Sequence, residues 1–156
     1  MKKAERIQHD LHSFHELAAK KGLPTEYFAY FHCFNKMEYY DAHDYLEHLW
    51  LQSSPPQYGF YKGMIQLAGA FVHLQKQFLR PTHHKDGRRL HPAYRLFLLA
   101  QNNLQPLPSP FLGMPLHPVY KIILHYTLAL KNTHFSQNPW HPNFPPQLPF
   151  PDPILP

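Results

Sequence analysis

Residues 35–51, NKMEYYDAHDYLEHLWL, and residues 58–79, YGFYKGMIQLAGAFVHLQKQFL, flank the turn Ser53-Ser54-Pro55-Pro56, and their reading decides the fold. In the first stretch Tyr39, Ala42, Leu46, Leu49 and Trp50 recur at helical spacing, which makes one buried stripe. The second is apolar around most of its circumference. Only Lys62, Gln66, Gly69, His73 and Gln77 interrupt it, as a single narrow polar stripe. A helix apolar on nearly all sides belongs in the middle of a fold. The prolines stop the first helix, and so short a connection turns the pair into an antiparallel hairpin. Just upstream, Asn35-Lys36-Met37-Glu38 has the form of a capping box. Asn35 would cap the helix, Glu38 would reach back, and Phe34 with Tyr39 would form the hydrophobic staple.

Working outward, Ile7, Leu11, Phe14 and Ala18 predict an amphipathic helix over 4–21, ended by Gly22 and Pro24. Thr25 is placed to cap a short helix whose Tyr27, Phe28, Tyr30, Phe31 and Phe34 are too aromatic for a surface. Downstream, LHPAYRL at 90–96 and LHPVYKI at 116–122 open two helices alike, each with proline near the first turn, where a missing N–H costs little. Two copies are too few for a repeat array. The expected fold is therefore all-α: five or six helices in a compact bundle around a central antiparallel hairpin. One helical domain spans 1–137. From 138 to 156 there are eight prolines, which forbids helix or central strand and predicts an extended tail. Trp140, Phe144, Leu148, Phe150 and Ile154 favour a strap laid along the helices over a docking motif for a proline-recognition domain.

Composition narrows the class. With 44% hydrophobic and 16% charged residues there is enough apolar surface for a core and little reason for wholesale disorder. Cys33 is the only cysteine, which excludes an intramolecular disulfide framework and fits a reducing compartment. The charged start carries no apolar run of signal-peptide length and no stretch is long enough to span a bilayer, so a soluble cytoplasmic protein without membrane partners is expected. The net charge of +5 is unevenly spread. Glu26, Glu38, Asp41, Asp44 and Glu47 face only Lys36 between 26 and 47, whereas six cations oppose Asp86 between 76 and 95. Such patches suit a protein partner or a homo-oligomer.

The stretch from Phe34 to Trp50, FNKMEYYDAHDYLEHLW, followed by Phe60 to His73, FYKGMIQLAGAFVH, resembles the signature of the domain of unknown function family numbered 309. The resemblance covers residues 34–73. It implies a compact helical bundle and brings no activity with it.

Inside that signature an antiparallel hairpin sets Gln66 opposite His43, Lys62 near Glu47, and His73 near the level of Glu38. Glu38, His43, Glu47, Gln66 and His73 then form a candidate polar pocket, read in one of two ways. The first is a buried inter-helix ladder, His43 to Gln66 and Glu47 to Lys62, that satisfies polar groups and fixes register. The second is a divalent metal held by His43, Glu47 and His73 with an open position for water, as a hydrolase-like enzyme requires. The ladder makes the chain a non-enzymatic binding or scaffold module with no cofactor, and it is the expected reading. A third reading is phosphate contact through Arg80, Lys85, Arg88, Arg89 and Arg95 with His83 and His84, but no nucleic-acid recognition motif accompanies these cations. There is no glycine-rich phosphate loop and no serine elbow, and the aromatic surroundings of Cys33 predict an inert thiol.

Overall fold

The computed structural model describes residues 3–152, except for the side chains at positions 3, 4, 6, 7, 10 and 13. The packing roles expected of the Ile7 side chain and of Ile154 lie outside the described residues. Six helices follow one another: α1 (Lys3–Lys21), α2 (Thr25–Asn35), α3 (Tyr39–Trp50), α4 (Gln57–Leu79), α5 (Leu90–Leu104) and α6 (His117–Asn132). Among the described residues there is no strand beyond one isolated bridge between Phe111 and Met114. No helix there is long and apolar enough to cross a membrane.

The aromatic character of α2 decides where the core sits. Tyr27, Phe28, Ala29, Tyr30 and Phe31 are all fully buried, as are Cys33 and Phe34. A run of consecutive buried residues covers every side of a helix, so other elements must close around it. Rings do much of this. Phe34 meets Tyr39 edge-on at 5.2 Å, and Phe71 of α4 meets Phe34 at 5.5 Å, Phe97 of α5 at 5.2 Å and Tyr126 of α6 at 4.9 Å. Edge-to-face pairs of this kind add about 0.5–1.5 kcal/mol each beyond the area they bury. Buried hydroxyls find carbonyls: Tyr30 donates to Met64 O at 2.7 Å and Tyr27 to Leu112 O at 3.0 Å.

Packed on both α3 and α5, α4 uses different faces for each. Toward α3, Tyr39 stacks on Phe71 at 5.3 Å, Gln75 Nε2 donates to Met37 O at 3.0 Å, and Trp50 meets Tyr58 at 5.3 Å. Early α3 thus lies beside late α4. Toward α5, Gly63 and Gly69 let the backbones close in. A methyl on Gly63 would stand 2.8 Å from Leu104 Cγ and 3.2 Å from Ala100 O, and one on Gly69 would stand 3.2 Å from Leu96 Cδ1. Gly63→Ala therefore destabilises the fold by about 1–2 kcal/mol despite alanine's better helix propensity, because overpacking outweighs that gain. Chemical denaturation measures it.

The C-terminal segment makes specific contacts with the helices. Trp140 is 2% exposed and its Nε1 donates to Tyr39 Oη at 3.0 Å. Asn138 Nδ2 donates to Leu74 O at 2.8 Å, Phe150 stacks on Phe28 at 6.2 Å, and Asp152 N donates to Gly113 O at 2.7 Å. These contacts correct the capping-box reading. Asn35 is the last residue of α2, and its amide pairs with the main chain of Leu148: Nδ2 donates to Leu148 O at 2.9 Å and Oδ1 accepts from Leu148 N at 2.7 Å. Two long-range bonds hold the side chain that the local pattern assigned to a cap. Glu38, not Asn35, is the N-cap residue of α3, with no side-chain cap bond, and Met37 turns the chain at φ 63°. Pro24 likewise takes the N-cap position expected of Thr25. Tyr40, next to the buried Tyr39, is 55% exposed.

Candidate functional site

On α3, Tyr40, His43 and Glu47 form a part-exposed stripe at steps of three and four; beside it Asp44 is half-buried and His48 exposed, while Asp41 and Tyr45 are buried. His43 Nδ1 stands 3.3 Å from Asp44 Oδ1 and 3.6 Å from Glu47 Oε2, and the exposed ring of Tyr40 stacks on the imidazole at 6.2 Å. All three ligand-type side chains are part-exposed, between 32% and 44%. Their donor atoms lie within 4.8 Å of one another, the single such group of three or more among the described residues. Asp44 also borders a cleft of about 290 Å³ between α1, α2 and α3, lined with Glu26, Asp41, Tyr45 and His48. There His48 Nδ1 lies 3.8 Å from Glu26 Oε1.

This geometry suits a metal as well as it suits an imidazolium between carboxylates. Two ligands on a tetrahedral ion, each about 2.1 Å away, stand about 3.4 Å apart. The separations of 3.3 and 3.6 Å bracket that value.

The expected five-residue pocket does not form. Gln66 Oε1 accepts from Asn103 Nδ2 at 2.7 Å, and His73 Nδ1 accepts from Arg89 Nη1 at 3.0 Å. Asn103 belongs to α5 and Arg89 immediately precedes it, so the polar stripe of α4 faces α5 and not α3. The reason is steric: Gly69 lies in that stripe and Gly63 beside it, and a side chain at either would run into α5. Neither the ladder from His43 to Gln66 nor the set of His43, Glu47 and His73 survives this placement. Glu38 sits at the start of α3, 3.8 Å from Lys36 Nζ. Sequence reasoning passed over Asp44 because it sought the third ligand across the hairpin. The signal was present in His-Asp-x-x-Glu, whose first, second and fifth positions fall on neighbouring parts of one helical surface.

The basic segment is partly neutralised. Asp86 accepts from Arg80 Nη1 at 3.1 Å and from Arg89 Nη2 at 2.6 Å, with His83 at 3.9 Å. Arg89 hydrogen bonding holds the Asp86 carboxyl below its ordinary range. His73 is pushed from 6.5 down to about 4, first by burial and then by the charges of Arg89, Lys76 and Arg95. In the unfolded chain His73 takes a proton near its ordinary value, and in the fold it resists. Between those two values the unfolded state holds the extra proton, so stability falls as pH falls. Asp86 acts in the same direction, its contribution lost as acid protonates it. Thermal melts should drop between pH 6.5 and about 4, and less steeply in His73→Gln.

Comparison with known families adds one fact. Residues 27–83 match DUF309, a domain of unknown function. The DUF309 match extends the resemblance seen over 34–73 and contains the whole of α3 and α4, with His43, Asp44 and Glu47 inside it. Helices α1, α5 and α6 and the proline-rich segment lie outside the DUF309 limits. No curated protein and no solved structure is significantly similar to the chain.

Proposed function

We propose that this protein is a helical binding module that holds one divalent metal ion on the outer face of α3, with His43, Asp44 and Glu47 as ligands. One observation carries the reading: three donor atoms within 4.8 Å of one another, two of their separations close to those across a tetrahedral ion. The part-exposed setting leaves room for water at the remaining position, and α3 and α4, read as the antiparallel hairpin of the bundle, give the three side chains a rigid base. A reducing compartment such as the cytoplasm fits the buried thiol of Cys33.

Calorimetric titration of tag-free protein with zinc or manganese tests it. One saturable site per chain is the expected outcome. A flat titration with both ions, in metal-free protein, overturns the reading.

A further inference from the structure

A second site lies on the opposite chemical ground, at the basic end of the molecule. A cavity of about 320 Å³ is lined by Gln77, Gly87, Arg88, Leu90, His91 and Phe135. Its volume is in the range of small-ligand sites. Leu90 forms a buried apolar floor, while Arg88 and His91 are exposed.

The walls pair two functions. The His91 imidazole lies flat on the Phe135 ring, 4.0 Å apart at 23°, and Tyr94 braces Phe135 edge-on at 5.2 Å. Phe135 and its neighbour His134 both have positive φ, at 59° and 51°, conformations that non-glycine residues adopt at a cost. The chain thus holds an aromatic ring under His91 in a backbone geometry that side chains disfavour. Beside the stack, Arg88 makes no ion pair among the described residues. The one acidic side chain in the segment, Asp86, already engages Arg80 and Arg89. Lys85 and Arg95 add positive charge in the same stretch, and neither is in an ion pair among the described residues.

Gly87 shows how tightly the loop is drawn. A methyl there would stand 2.3 Å from Pro81 O and 2.7 Å from His83 O, both backbone atoms that cannot give way cheaply. The loop that presents Arg88 is therefore fixed by its own main chain and by Gln77 Oε1, which accepts from Arg89 N at 2.6 Å. A preformed cation beside a braced, exposed aromatic face is a combination that recognises a phosphate and a planar ring at once.

We propose that this cavity binds a nucleotide unit, with its phosphate on Arg88 and its base stacked on His91. The unit comes either as a free mononucleotide or as one residue of a single strand; the ring-plus-phosphate chemistry is common to both. Nothing in the reading depends on the metal site of α3, which lies on other elements.

The test uses the full chain at about 50 mM salt, with two probes: a fluorescent oligothymidine octamer followed by anisotropy, and adenosine monophosphate followed by the His91 imidazole resonances. Saturable octamer binding with no mononucleotide shift identifies a strand-borne unit. A saturating His91 shift with the mononucleotide identifies the free form. In either case Arg88→Gln and His91→Ala, both at exposed positions and read by anisotropy for the octamer or by calorimetry for the mononucleotide, should each weaken binding by about tenfold or more, and raising the salt should weaken the octamer further. The proposal is overturned by variants that bind as tightly as the native chain, by inorganic phosphate displacing the mononucleotide as well as a second nucleotide does, or by neither probe binding.

Discussion

Trp140→Ala lowers the free energy of unfolding by about 3–5 kcal/mol, the usual cost of emptying a buried indole site. The indole is 2% exposed and stands edge-on to Tyr39 at 6.1 Å and to Phe78 at 5.5 Å. Its loss opens a void between α3 and α4 and leaves the buried Tyr39 hydroxyl without the N–H it accepts. Burial raises the Tyr39 hydroxyl above its ordinary pKa, so it cannot recover by ionising. Phe144 supplies the contrast within the same segment. At 79% exposure its replacement by alanine should move stability by no more than about 0.5 kcal/mol. Urea denaturation of both variants separates a segment packed through particular side chains from one laid loosely on the surface. Equal, small effects at the two positions would show that the segment does not contribute to the core.

The second large effect concerns the metal. Asp44→Asn removes one of the three proposed ligands and should weaken divalent-ion binding by at least tenfold to a hundredfold, since even outer-shell changes cost roughly that much. His73→Ala should leave the affinity unchanged, because His73 is engaged with Arg89 on the side of α4 that meets α5. The pair of variants decides between an ion on one helix and an ion bridging two. Circular dichroism on each variant, at the temperature of the titration, keeps a folding defect from being read as lost affinity.

Much of the fold was legible because its signals are periodic. The stripe of Tyr39, Ala42 and Leu46 marked α3, and the nearly continuous apolar surface of α4 marked a helix with neighbours on two sides. The aromatic run from Tyr27 to Phe34 announced burial for the same reason: no surface helix can hide rings on every face. Periodicity, however, says which residues face inward without saying which neighbour they face. That ambiguity misplaced the polar stripe of α4. Gln66 and His73 were assigned to α3 because α3 is adjacent in sequence, whereas Gly63 and Gly69 bring in α5 on that side. Asn35 shows the other limit. Its cap pattern was locally sound, but Leu148, more than a hundred residues away, offers its amide both a donor and an acceptor, and the long-range pair wins. In the proposed site His43 and Glu47 are marked by their spacing of four and Asp44 by its place in His-Asp-x-x-Glu, whereas the approach of its carboxylate to 3.3 Å from the imidazole is visible only in the fold.

Anomalous diffraction from crystals of tag-free protein grown with zinc locates the ion. One strong peak is expected about 2.0–2.2 Å from His43 Nδ1 and from a carboxylate oxygen of both Asp44 and Glu47. A peak on His73, or none on α3 at full zinc occupancy elsewhere, would contradict the proposed site.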